Sequence, residues 1–537
     1  MKKNSFMEGS FIATIGIIVC KVIGLLYVIP FYAMISNQGA ALYSYAYSIY
    51  AVFLSLSTSG IPIAMSKLVS EYNSLGYNYT KEKIYKLGNI IITALGVFFF
   101  ILLFILAPLL ASFILGGATG GNSASDITLV IRIVAFSLLI VPSLSIMKGY
   151  YQGHKFITPP SISNVIEQLV RVIVIIVGCY LSLNILNLKE SIAISISVFA
   201  ATLGAIAALT YLYFKRKKNI KDFNVHAKKL TEETKFTTKY LVKQILALSL
   251  PFIIVDVLKS SYNLVDTLTV VRTLTDIGYS SEIAETAFSV IGTWGSKLSM
   301  IIISISMGIS TSLIPNIASD FIQKKQIPLN HKINQAISSL LFFTIPATIG
   351  IFLLAQPVWV IFYGYNELCI EVFKVFIIQS ITFSLITVLI NILQTTNKNK
   401  IAVLVLLVSF ISNAILNIPM MYLCEKIGLG GYQGASVATL ITQIIPCIYL
   451  LWYLKKYLNL HYKQTIINIT KIVLITGIMA TSILILSLVL KINATTRIDA
   501  LIEIIIYTLF GGAIYLFLAI KSGLVKDILG NKLKTHV

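Results

Sequence analysis

Apolar residues in this chain come in long runs, not in strict alternation. Runs of about 20 or more follow one another from near the N-terminus almost to the end, separated by short polar stretches. A bilayer core needs about 20 helical residues to cross, whereas a barrel strand needs about 9–11 in apolar/polar alternation. The pattern therefore predicts membrane-spanning helices. Spans are predicted at about 10–35, 43–70, 86–115, 127–150, 160–183 and 190–214. A second set falls at about 242–272, 286–317, 332–355, 370–393, 400–423 and 432–454, and two more at about 466–490 and 500–520. That makes an all-α polytopic membrane protein with about 14 spans. An even count puts both termini on one side.

Charge supports the count. Lysine and arginine number 42 against 21 acidic residues, a formal net charge of +21. They concentrate in alternate loops: Lys81, Lys83 and Lys86, then Lys148 and Lys155, then the stretch from Lys215 to Lys243. Lys324, Lys325 and Lys332 follow, then Lys398 and Lys400, Lys455, Lys456 and Lys463, and the tail lysines. The other loops carry little beyond Lys189, Lys426, Lys491 and Arg497. This is the positive-inside pattern, and it predicts cytoplasmic termini. A basic chain can also signal nucleic acid, but no aromatic and basic residues interleave as such a site requires. No nucleic-acid partner is expected.

Only 12% of residues are charged, 57% are apolar, and the mean hydropathy is +0.87. A soluble domain carries about 25% charged residues, so a soluble multidomain enzyme is excluded. The first apolar segment reads as a retained span, not a signal peptide. The five cysteines show neither a CxxC pair nor metal-ligand spacing, and no metal or cofactor is expected. The chain has no Walker loop, HExxH or GxSxG. A membrane-embedded glycosyltransferase would need a catalytic carboxylate in a sizeable outer loop, and those loops are short. The five histidines, His154 among them, fall near loops or the tail and read as solvated residues.

The basic stretch suggests a division: 1–214 as an N-lobe with spans one to six, 215–241 as a cytoplasmic linker, 242–456 as a C-lobe with spans seven to twelve, and 457–537 as spans thirteen and fourteen plus a tail. The linker is expected at the anionic inner leaflet, or as a dock for a precursor-synthesising protein. The two sixes look related. Ser57-Thr58-Ser59-Gly60-Ile61-Pro62 in the second span matches Ser310-Thr311-Ser312-Leu313-Ile314-Pro315 in the eighth at all but one position. The reading is two pseudo-symmetric six-helix lobes plus two C-terminal helices, an arrangement that builds transporters with a central site. Convergent helix packing would also produce such a match. Gly60, Pro62 and Pro315 are the candidate hinges, since a buried proline removes a helix hydrogen bond. Static kinks serving only packing are the alternative.

Charges inside spans narrow the function. A cation near the bilayer centre costs at least about 2.5–3.5 kcal/mol and persists only if paired, hydrated or used. Glu167 and Arg171, four apart, are expected to neutralise each other. Asp256 and Lys259, three apart, either do the same or leave Lys259 facing a cavity. Lys21 and Lys297 lie deep in the first and eighth spans with no acid nearby in sequence, and with Lys259 they suggest a hydrated cationic chamber. Asp266 in the seventh span pairs with a lysine of the other lobe, binds a coupling cation, or makes a structural hydrogen bond. A cationic chamber in an apolar shell fits a lipid-linked phosphate; composition also allows a carrier of small anions.

Several stretches carry a family resemblance. The first span, from Thr14-Ile15-Gly16 to Lys21-Val22-Ile23-Gly24, resembles the opening of lipid II flippases of the MurJ type, with lysine where that family usually has arginine. Gly60-Ile61-Pro62 with Ser66-Lys67 and Glu71-Tyr72-Asn73 is similar to the family's second span. Lys148-Gly149-Tyr150-Tyr151-Gln152-Gly153, then Glu167-Gln168 and Arg171-Val172, resembles the branch that includes stage V sporulation protein B. Asn263 to Thr267 and Trp294-Gly295-Ser296-Lys297 resemble the seventh and eighth spans. The wider group is the multidrug/oligosaccharidyl-lipid/polysaccharide exporter superfamily.

The resemblance implies a flippase of the bacterial cytoplasmic membrane, not an enzyme. It would carry polyprenyl-pyrophosphate-linked peptidoglycan precursor from inner to outer leaflet by alternating access. Lys21 and Lys297 would then meet the pyrophosphate, and about 466–520 would form a groove for the lipid tail. Lysine at 21 keeps the charge but loses the bidentate fork of arginine. Coupling to the membrane potential or to a monovalent cation is expected, and the expected partners are the lipid-linked oligosaccharide, membrane lipids and cell-wall synthesis proteins. The alternatives are export of another lipid-linked glycan (teichoic acid, capsule or spore cortex) or a cation-coupled drug exporter, which would want an acidic cavity.

Overall fold

A computed structural model describes residues 6–117, 120–223, 230–490 and 494–529. Every regular element among them is helical. Fourteen helical segments are long and apolar enough to cross a membrane. In order, the first seven are Ile15–Met34, Asn37–Ser74, Asn78–Leu115, Ala124–Gly153, Thr158–Ile185, Glu190–Lys218 and Thr238–Ile277. The others are Ser281–Ser310, Gln326–Leu353, Glu367–Thr395, Asn399–Lys426, Gly431–Leu458, Lys463–Leu490 and Arg497–Lys521. All 14 predicted spans are present. The second, third and seventh run to 38, 38 and 40 residues because their polar ends, which the hydropathy pattern assigned to loops, continue the helix.

The chain divides into two compact units between Arg272 and Thr273, inside the seventh span. The sequence reading put the division at the 215–241 linker. The seventh span sides with the first unit because Leu241 and Ile245 are fully buried in one cluster with Ile61, Met65 and Tyr72 of the second span and Phe223 of the linker.

In the first unit, the fifth and sixth spans pack as a hairpin, and the second span packs along the fourth. Gly149 of the fourth span lies against the Pro62 backbone, and Gly153 lies against Val69, so these helices approach closely. The second span is not one helix. It runs Asn37–Thr58, breaks, and resumes as Ile61–Ser74. Ser59 is extended (ψ 143°) and Gly60 has φ +76°, a left-handed value that disfavours any side chain. Pro62 sits in the first turn of the second piece, where its missing N–H costs nothing.

The linker is docked on the first unit at both described ends. Phe223 is buried among Tyr150, Tyr151, His154 and Phe156, with ring centroids 5.0–5.4 Å away. Lys81 is fully buried, and its Nζ donates to the Phe223 carbonyl (2.8 Å) and to Asn78 and Asn73 Oδ1 (2.9 and 3.1 Å). Glu233 accepts from the Thr80 backbone N–H (3.0 Å), capping the first turn of the third span. Arg216 pairs with Glu82 at 2.8 Å and lies over the rings of Tyr85 and Tyr150, whose hydroxyl also bonds Glu82. His154, expected to be solvated, is buried, with Nδ1 at 2.9 Å from the Tyr150 carbonyl. Tyr150 and Phe156 beside it are local, but Phe223, which completes the aromatic box, comes from the distant linker, so local sequence alone did not reveal its burial.

In the second unit, the helix Gly295–Ile322 extends the eighth span. A short helix, Ala355–Tyr363, follows the ninth span and packs on the fourteenth; the hydropathy pattern had left it in a loop. It buries Trp359 and Tyr363, and the Tyr363 hydroxyl donates to the Trp294 carbonyl (2.8 Å). On the connections around it, the Tyr279 and Tyr432 hydroxyls donate to Glu425 (2.6 Å) and Glu371 (2.7 Å). Burial, together with the Glu425 bond, pushes the Tyr279 phenol above its ordinary pKa. The thirteenth and fourteenth spans expose Leu474, Ile485, Leu488, Leu509, Phe517 and Ile520, and Gly511 lets them close on Ile483. A tail helix, Leu524–Leu529, buries Leu524 and Ile528 against the same unit.

Candidate functional site

Within the first unit, the seam between the second and seventh spans brings together the predicted Gly60, Asp256 and Lys259. Gly60 lies directly against the Ser249 carbonyl and the Phe252 side chain, so a Cβ there would collide with the seventh span. One turn before the break, Ser55 Oγ meets Ser260 Oγ at 2.9 Å. Asp256 faces Ser59, the extended residue of the break, and interacts with Lys259 on the same helix face. Asp256 and Lys259 are both partly buried. The candidate hinge and the charged pair are therefore one feature: the break exposes backbone and a serine, and the seventh span presents polar groups to them. Spacing left open whether Asp256 and Lys259 interact or Lys259 faces a cavity, and the two do interact electrostatically. The serines 55, 59 and 260 were missed, because serine is common in these spans and carries no signal until a partner is known.

Asp266 lies two to three turns further along and is buried, 5% exposed. Lys21 is half-buried on the first span, which packs on the fifth through Gly16 against Ser161 and Gly24 against Gln168. Its neighbour Cys20 lies beside Glu167, Lys148 and Arg171. Glu167 does pair with Arg171, at 2.9 Å. It also takes Lys148 at 2.8 Å, a third member contributed by the fourth span. One carboxylate thus serves two cations, and the group keeps a net positive charge. Arg171 in turn lies near the phenols of Tyr43, Tyr47 and Tyr50.

In the second unit, Lys297 is half-buried in the first turn after a π-helical turn, Val290–Trp294. Its Nζ stands 4.8 Å from the Trp294 ring centroid, an aromatic face that favours a cation. Trp294 is fully buried and stacks edge-on to Tyr363. This support went unread because Tyr363 is 66 positions downstream of Lys297. Pro315 falls within a continuous helix, and its side chain lies outside the described residues. No group of three or more His, Cys, Asp or Glu among the described residues could hold a metal ion.

Residues 6–319 match the polysaccharide biosynthesis protein family. The chain is 31% identical over 538 aligned residues to the lipid II flippase MurJ of Bacillus subtilis (strain 168), covering 99% of this chain and 98% of that protein. It is 25% identical over 366 residues to stage V sporulation protein B of the same organism, covering 68% of each. Its fold matches a solved structure of lipid II flippase MurJ in the inward closed conformation, with TM-score 0.69, 20% identity, and 97% and 100% coverage of the two chains.

Proposed function

We propose that this chain, which belongs to the polysaccharide biosynthesis protein family and within it to the MurJ lipid II flippases, is itself a flippase for lipid II. The observation that carries the reading is the 31% identity to MurJ along essentially the full length of both proteins. It is a transporter and not an enzyme. The physical picture agrees. An anionic pyrophosphate is attracted most strongly to cations held partly out of water, and Lys21 and Lys297 are both half-buried. Lys259 is the third candidate ligand, tempered by Asp256.

Both termini lie on the cytoplasmic side in this reading, since the lysine-rich loops face inward. Gly60 and Pro62 let the two pieces of the second span change angle as access alternates. Asp266 serves coupling, either by binding a monovalent cation or by pairing with a lysine in one state. A membrane potential negative inside favours outward movement of the anionic lipid, and also favours return of an empty, positively charged carrier to the inward-facing state. Collapsing the potential should therefore slow net export; unchanged export would remove that part of the proposal.

The test is rescue of cells depleted of their own lipid II flippase. Wild type should restore growth and outer-leaflet lipid II, while Lys21→Ala and Lys297→Ala, at normal abundance, should not. A wild-type chain that is present in the membrane yet fails to rescue would redirect the reading to another lipid-linked glycan.

A further inference from the structure

A cavity of about 450 Å³ opens in the second unit at the lysine-rich end of the ninth and thirteenth spans. Such a volume falls in the roughly 300–1,000 Å³ range of small-molecule sites. Its lining is unusual for this chain. Seven of its residues are Asn or Gln, joined by His331, His461, Ser338, Thr465 and Asp527. Among the described residues that line it, none is Lys or Arg, on a protein of net charge +21. Phosphate sites are built from cations and backbone N–H groups, so this is a poor one. Carboxamides and imidazoles instead offer donors and acceptors side by side, and these match hydroxyl and N-acetyl groups.

The lining is also held in place. Asn334 donates to Asn330 Oδ1 (2.6 Å) and to the His461 carbonyl (3.1 Å), and accepts from Thr465 (2.5 Å). Gln335 donates to the Ile528 carbonyl (3.0 Å), which ties the tail helix to the ninth span and sets Asp527 at the rim. Lys471 approaches Asp527 at 3.4 Å from outside the lining. Asp527 is the charged acceptor, the strongest hydrogen-bonding partner a sugar hydroxyl could find here.

We infer that this cavity is a binding site for a neutral saccharide bearing hydroxyl and N-acetyl groups. It rests on the proposed export of a lipid-linked glycan, whose sugar portion it would hold apart from the pyrophosphate-binding lysines. The test uses full-length protein in nanodiscs, with N-acetylglucosamine as the probe, read by saturation-transfer NMR. Inorganic phosphate and phosphatidylglycerol-containing nanodiscs serve as competitors. The sugar should bind, and neither competitor should displace it. Asp527→Asn and His331→Ala, with unchanged melting temperatures, should each weaken apparent affinity about tenfold, the loss of roughly one charge-assisted or well-placed hydrogen bond.

Sugar binding indifferent to both variants overturns the assignment, as does absence of binding to wild type. Displacement by phosphate makes it an anion site, and displacement by phosphatidylglycerol makes it a phospholipid head-group site; either also overturns it. Lipid II export by wild-type protein, measured in parallel, separates the two readings. Export without sugar binding removes this site and leaves the flippase; sugar binding without export removes lipid II and leaves a site for another glycan.

Discussion

The second and eighth spans carry nearly the same six residues and fold differently. Ser57 to Pro62 breaks the helix, with Ser59 extended and Gly60 at φ +76°. Ser310 to Pro315 remains inside one helix, Gly295–Ile322. The only differing position is Gly60 against Leu313. Proline two residues later is common to both, so proline alone does not break the chain. Glycine permits the left-handed turn, and the close approach of Ser249 and Phe252 leaves no room for anything larger. Two nearly identical motifs thus differ in helix continuity through a single residue. The break sits where the seventh span contributes Asp256, Lys259 and Ser260.

The comparison can be broken or sharpened by substitution. The largest effect is expected from Phe223→Ala, which empties the aromatic box that anchors the linker beside the piece following the break. Truncating a buried aromatic costs about 3–5 kcal/mol. Limited proteolysis should show cleavage within 215–241 that wild type resists, and unchanged resistance would mean the box does not hold the linker. Next is Gly60→Leu, which gives the second span the eighth span's motif. A side chain forced into this strained conformation costs about 1–3 kcal/mol, and the clash with Ser249 adds to it. The melting temperature should fall and lipid II export should drop severely; a variant exporting at the wild-type rate would show that the break is not a working joint.

The reciprocal change, Leu313→Gly, should cost only about 1 kcal/mol, as for glycine in a helix interior, with export largely kept. Loss of export comparable to Gly60→Leu would mean that helix continuity at the eighth span matters as much as the break at the second. The smallest effect is expected for Ser260→Ala, which removes one hydrogen bond to Ser55, about 0.5–1.5 kcal/mol. Thermal unfolding of this variant beside the Ser55→Ala, Ser260→Ala double variant should show non-additive losses. Additive losses would mean the two hydroxyls do not act as a pair.

The same comparison explains what the sequence could reveal. The spans were legible because the bilayer demands long apolar runs and loop lysines mark one side. Glu167 with Arg171 was legible because the contact is local, whereas Lys148, 19 positions away, joins only once the fourth and fifth spans pack. Gly60 and Pro62 were legible, from their residue types, as a place where the helix is interrupted. The repeat pointed equally to Pro315, yet its helix continues, since Leu313 disfavours the turn that Gly60 takes. Burial of His154, Lys81 and Phe223 was illegible, because polar neighbours in sequence suggested solvent and the partners lie up to 142 positions apart. The division at Arg272 was hidden for a similar reason: a basic linker looks like a boundary, but here it is fastened to the first unit.

The most direct test is transport by the purified protein. Lipid II would be placed in the leaflet of sealed vesicles where the lysine-rich loops face, and the appearance of its head group on the opposite surface would be followed. The account predicts transfer by wild type, and loss of transfer with Lys21→Ala or Lys297→Ala while folding is preserved. Transfer unaffected by both substitutions, or none by a folded wild-type protein, would contradict it.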